Sequence, residues 1–266
     1  MKTLDIAEGN DLQETTKMLH EACKYKSQYE SNWMFAQNDF ICCFKGKILY
    51  LTDTNLKPLL MYESTSYIAA CGISRTGKYI VCQTAYNHEN DEDSGVTIIF
   101  DVEKREMICQ KCIEIGVNQT RIIFIDEKKK VIAFYVADRI LGNDKNIVVK
   151  YDFNLNPDEE TLKEYYKKPD ISPYMLNARI HELIAKVSSG AKQWQEAEEE
   201  ITYLLERLKD DDNMSHYQLS MTYKQLGELY FEYSNIEKAI VSYETGLLLN
   251  PKLAVKKKLN QLKKML

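Results

Sequence analysis

Several kinds of chemistry are missing from this chain. It has four histidines, His20, His88, His181 and His216, and they are scattered with no metal-ligand spacing. It has no Gly-rich phosphate loop, no nucleophile elbow and no HExxH. It also lacks a surplus of positive charge: at net −5 and a pI near 5.6, nucleic acid is not an expected partner, because phosphate binding needs concentrated cationic side chains. No apolar run approaches the roughly 20 residues of a membrane span, so no membrane partner is expected. The opening MKTLDIAEGNDLQ is too polar for a signal peptide. Seven cysteines with no such leader point to reduced thiols and a cytoplasmic location.

What the chain does contain is enough for two ordinary domains: 266 residues, 44% hydrophobic and 28% charged. Its texture changes along its length. Asp11 to about Tyr29 has a helical stripe of Leu12, Thr15, Leu19, Ala22 and Cys23, with Asp11 as cap. From Asp39 onward, short β-branched and aromatic runs alternate with turn signals. They predict strands near 39–44, 47–52, 58–62, 67–73, 78–85, 96–102, 106–113, 121–126, 130–136 and 146–153. Residues 154–174 are charged and hold Pro157, Pro169 and Pro173, which suits a linker. Beyond them every signal is helical. The expected organisation is α+β, with a helical segment over 1–38, an antiparallel β domain over 39–153, a linker over 154–174 and a helical domain over 175–266.

Within the β region a weak repeat is visible. AACGISRTGKYIVCQTA, an acidic loop and GVTIIFDVEKREMICQ end a strand on Phe100-Asp101. RIIFIDEKKKVIAFYV followed by NIVVKYDFN ends one on Tyr151-Asp152, and Asp53 after ILYLT marks an earlier counterpart, at a spacing of roughly 50 residues. This order resembles a blade of a WD-repeat propeller, although the tryptophan usual before the Asp is absent from all three. Room for about three blades implies a partial, propeller-like arrangement, and a sandwich is the alternative.

The C-terminal third carries the stronger resemblance. In SMTYKQLGELYFEYSNIEKAIVSYETGLLLNPKL one helix presents Tyr223, Leu226, Gly227 and Tyr230. The next presents Ala239, Ile240, Tyr243 and Leu247, with Asn235 as cap and Pro251 as terminator. A mid-helix glycine costs roughly 1 kcal/mol of propensity, which suggests close approach by the neighbouring helix. These residues are similar to one tetratricopeptide repeat. A degenerate partner is aligned on Ala197, with Ala185 in the glycine position and Trp194, Ile201, Leu204 and Leu208 on one face. AVKKKLNQLKKML reads as a soluble cap.

The resemblance implies noncatalytic protein binding, as in an adaptor, with no cofactor. The implied groove residues are Lys224, Glu228, Phe231 and Glu232, with Phe231 either the aromatic anchor or a packing contact against the preceding helix pair. Glu228 and Glu232 would repel a carboxylate, so a basic or amphipathic segment of another protein is the expected partner. The acidic loop with Glu89, Asp91 and Asp93 fails the EF-hand pattern, since its sixth and twelfth positions hold Ser94 and Phe100. It is either a solvated turn or an acidic docking patch. The latter would serve a rival function, an immunity protein or inhibitor occluding a basic toxin. Cys109-Gln-Lys-Cys112 has no second ligand pair, so packing thiols rather than a metal site are expected.

Overall fold

The computed structural model describes residues 32–37, 40–53, 55, 57–86, 92–117, 119–136, 147–168, 171–209 and 214–265. The helix expected over 11–29 lies outside them. The fold is α+β: antiparallel sheets come first and helices follow, and the chain divides into two units between Lys168 and Pro169.

The first unit is built from eleven strands among the described residues: β1 (Asn32–Gln37), β2 (Phe40–Lys45), β3 (Ile48–Asp53), β4 (Pro58–Glu63), β5 (Ile68–Ile73), β6 (Tyr79–Thr84), β7 (Thr97–Asp101), β8 (Glu106–Lys111), β9 (Thr120–Asp126), β10 (Val131–Val136) and β11 (Ile147–Asp152). They form three sheets in strict chain order, β1-β2-β3-β4, β5-β6-β7-β8 and β9-β10-β11, with each strand antiparallel to the next. Tight turns keep this order. Gly46 takes the left-handed backbone that the β2–β3 hairpin needs, at φ 58°, and Gly77 does so before β6, at φ 76°.

Burial places the second sheet in the middle. Every residue of β6 and β7 is buried, as happens when both faces of a sheet are covered. One face joins the first sheet in a core of Phe44, Leu49, Leu51, Leu60 and Tyr62 against Ile68, Ile80, Ile98 and Phe100. The Tyr62 and Phe100 rings lie 4.8 Å apart. The other face meets the third sheet, where a Cβ on Gly72 of β5 would lie 2.6 Å from the Ile123 carbonyl oxygen of β9. Only glycine permits backbones that close.

The linker expected over 154–174 is corrected by the structure. Residues 159–166 form helix α1 (Glu159–Tyr166), capped by Asp158, whose carboxylate accepts from Thr161 N. Leu162, Tyr165 and Tyr166 stand on one face and are buried. The segment satisfies the outer edge of β11: Asp158 N donates to the Lys150 carbonyl, and Lys150 N donates to Thr161 Oγ1. A polar, proline-bearing sequence hid a three-residue apolar stripe. β1 also falls within the segment expected to be helical.

The second unit contains α2 (Pro173–Ser188), α3 (Trp194–Leu208), α4 (His216–Glu232), α5 (Ile236–Leu249) and α6 (Lys256–Leu262). Ser172 caps α2 and Asn235 caps α5 through side-chain acceptors. α4 and α5 form the tightest hairpin. Gly227 faces the Tyr243 ring, where an added Cβ would meet ring carbons at 2.6–2.9 Å. In α2 the buried apolar stripe is Leu176, Ile180, Leu183, Ile184 and Val187, and Ala185 falls off it and is exposed. The expectation that Ala185 mirrors Gly227 is therefore corrected. The α2–α3 crossing is instead held by a buried ion pair, Arg179 Nε to Glu200 Oε1 at 2.9 Å.

Candidate functional site

The four groove residues expected on α4 recur at steps of four, three and one, which keeps them near one face of the helix. Lys224 and Glu228 are half-buried, Glu232 is exposed, and Phe231 retains 37% of its surface. Phe231 is turned towards the C-terminal helix. The Lys258 ammonium stands 4.9 Å from its ring centroid and 5.8 Å from that of Tyr243. Around Phe231 is an open hollow of about 460 Å³ lined by Ala254, Lys257, Lys258, Gln261, Leu262 and Met265. An apolar floor with a cationic wall on α6 is thus set beside the carboxylates of Glu228 and Glu232 on α4.

Tyr243 underlies this surface. It is buried, its hydroxyl has no hydrogen-bond partner among the described residues, and its pKa is pushed up to about 12 by burial, with the Glu228 and Glu232 charges adding to the effect. Tyr230 packs edge-on to Trp194 at 5.0 Å, and Tyr233 stacks on the same indole at 5.5 Å, joining α4 to α3.

A polar seam runs between α2 and α4. Thr222 Oγ1 lies 2.7 Å from Asn177 Oδ1 and 3.0 Å from His181 Nε2, and His181 Nδ1 lies 2.6 Å from Gln225 Oε1. Its only trace in the sequence was a pair of polar residues, Asn177 and His181, one turn apart on an otherwise apolar helix face.

The acidic loop separates differently. Glu89 and Asp91 lie outside the described residues. Asp93 is 0% exposed, which removes it from any docking patch. Its carboxylate accepts from Tyr62 Oη at 2.8 Å, Ser64 Oγ at 3.1 Å, Thr65 N at 2.9 Å and Gln110 Nε2 at 3.1 Å. Asp93 thus binds the β4–β5 connection to the second sheet, and burial together with this carboxylate drives the Tyr62 phenol pKa strongly upward.

Cys109 is half-buried on β8, Cys112 is exposed just past its end, and both are free thiols. Burial raises the Cys109 pKa. Among the described residues no cluster of three or more His, Cys, Asp or Glu is placed to hold a metal. No described helix is long and apolar enough to cross a membrane.

No family model matches the sequence, and no curated protein matches it. Among solved structures, the crystal structure of Kluyvelomyces marxianus Hsv2 is similar over 47% of this chain and 48% of that one, at 10% identity and a TM-score of 0.29. The chain spans about half the length of that protein. At such a score the likeness carries no argument about fold or function.

Proposed function

We propose that this chain is a noncatalytic protein-binding module whose helical unit is tetratricopeptide-like and captures an amphipathic segment of another protein across α4. The observation that carries the proposal is Phe231, an aromatic left partly open over a hollow instead of being closed into the core. Such a side chain buries large apolar area at low entropic cost, the usual character of an interface anchor. Glu228 and Glu232 supply basic selectivity on one side, while Lys257 and Lys258 rim the other. The tight Gly227–Tyr243 crossing supports the repeat assignment.

We further read the three sheets as successive blades of a partial propeller. In support, β1 neighbours β5 and β5 neighbours β9, so the first strand of each sheet lies beside the first strand of the next. The segment leading into α1 occupies the place of a fourth strand beside β11. The free thiols among the described cysteines suit a cytoplasmic setting.

A photo-crosslinking residue placed at position 231 tests the docking site. Crosslinks from 231 to one discrete protein, absent when the same group replaces exposed Glu237, support it. Equal labelling from both positions would remove α4 from the mechanism.

A further inference from the structure

We infer that Cys42 and Cys71 form a redox-modification site, a reversible disulfide that clamps the first sheet to the second. The two sulfurs lie 3.6 Å apart on strands from different sheets, Cys42 on β2 and Cys71 on β5. Two side chains 29 residues apart in sequence have been brought to sulfur–sulfur contact inside a core. A disulfide needs about 2.05 Å, so the sulfurs must close by about 1.5 Å, a distance that rotation about the side-chain bonds can cover.

Exposure assigns the roles. Cys42 is fully buried, whereas Cys71 is partly open and is the thiol an oxidant can reach. With a peroxide as oxidant, the Cys71 sulfur loses its proton and attacks one oxygen. The O–O bond breaks, and hydroxide leaves and takes up the proton as water. The resulting Cys71 sulfenic acid is then attacked by the Cys42 sulfur. Its S–O bond breaks and a second water leaves, carrying the Cys42 proton. Two thiols have lost two electrons to one peroxide, and one S–S bond has formed.

A third thiol, Cys82, stands directly across from Cys71 on β6. It is as fully buried as Cys42, so burial does not choose between the two, and the 3.6 Å sulfur contact selects Cys42. A bond to it would also join strands already laddered together. The bond to Cys42 joins two sheets that share no ladder and closes a loop of about 30 residues, which constrains the unfolded chain. In a reducing compartment such a bond is transient, forming under oxidant and lost on its removal.

The test treats the full folded chain with one equivalent of hydrogen peroxide, alkylates the remaining thiols and maps the peptides. The expected product is the Cys42 peptide joined to the Cys71 peptide, two hydrogens lighter than the separate thiols and released by dithiothreitol. The oxidised protein should melt roughly 5–10 °C higher. Cys43 shares the Cys42 peptide, so Cys43→Ser must keep the link, while Cys42→Ser and Cys71→Ser must each abolish link and Tm rise. Should Cys42→Ser fail to fold, Cys42→Ala takes its place. Cys71 joined to Cys82, Cys71 driven to sulfinic acid without a link, or seven alkylated thiols after treatment would each overturn the site.

Discussion

Gly227 and Tyr243 are the pair on which the helical hairpin turns. A glycine inside α4 gives up roughly 1 kcal/mol of helix propensity, and the Tyr243 ring takes the space its missing Cβ leaves. Gly227→Ala should therefore destabilise the unit by about 1–3 kcal/mol although alanine is the better helix former, and Gly227→Leu by more. Chemical denaturation reads the sign; a stabilised alanine variant would mean the helices do not cross here. Tyr243 makes a second, opposite prediction. Its hydroxyl is buried without a partner among the described residues, so Tyr243→Phe should leave stability unchanged or raise it by about 1 kcal/mol. Its raised pKa also sets a pH window. The neutral phenol is favoured in the folded state, so its contribution is complete below pH 10 and is lost as pH climbs through about 12. Melting scans between pH 9 and 12 should show a steeper loss for the parent than for Tyr243→Phe. Asp93 is the corresponding residue in the first unit. Asp93→Ala strands donors from Tyr62, Ser64, Thr65 and Gln110 and should cost about 3 kcal/mol or more, measurable by urea unfolding. A loss under 0.5 kcal/mol would return Asp93 to the surface role the sequence suggested.

At the scale of elements, what was legible followed periodicity. The strands from β2 to β11 fall where β-branched and aromatic runs lie between turn signals, and the repeating Asp was readable for a physical reason the structure now supplies. Asp53, Asp101 and Asp152 end the third strand of successive sheets, and each carboxylate accepts from backbone N–H groups of the turn that follows: Asn55 and Lys57, Lys104, and Asn154 and Asn156. The repeat therefore encodes a turn, and the turn does not need the missing tryptophan. α1 was illegible because its three apolar residues sit among lysines, glutamates and prolines, and its stability comes from β11 rather than from itself. Leu162→Ala should consequently weaken the first unit by about 2–5 kcal/mol, whereas a linker residue would tolerate the change. Thermal melting of the variant decides between them. Ala185 falls at the glycine position of the repeat pattern but off the apolar stripe of α2, and the stripe decides which residues are buried.

For the whole molecule, the composition argued against nucleic acid, and the C-terminal pattern named a kind of activity without a partner. The candidate site was only half readable. Lys224, Glu228, Phe231 and Glu232 could be placed on one helix from their spacing. The lysine wall beside Phe231 could not, because it comes from α6, whose cationic face reads in isolation as a solvated cap. Nor could spacing show that Asp93 would turn inward while part of the same loop stayed polar. The binding proposal rests on the surface that α4 and α6 make together. Its most direct test is the affinity of the crosslinked partner for the parent chain and for Phe231→Ala, by calorimetry, after both are shown to melt within about 2 °C of each other. Loss of the anchor should weaken binding by roughly 30-fold or more, equivalent to an interface hot spot of about 2 kcal/mol. An unchanged Kd at equal stability would contradict the account.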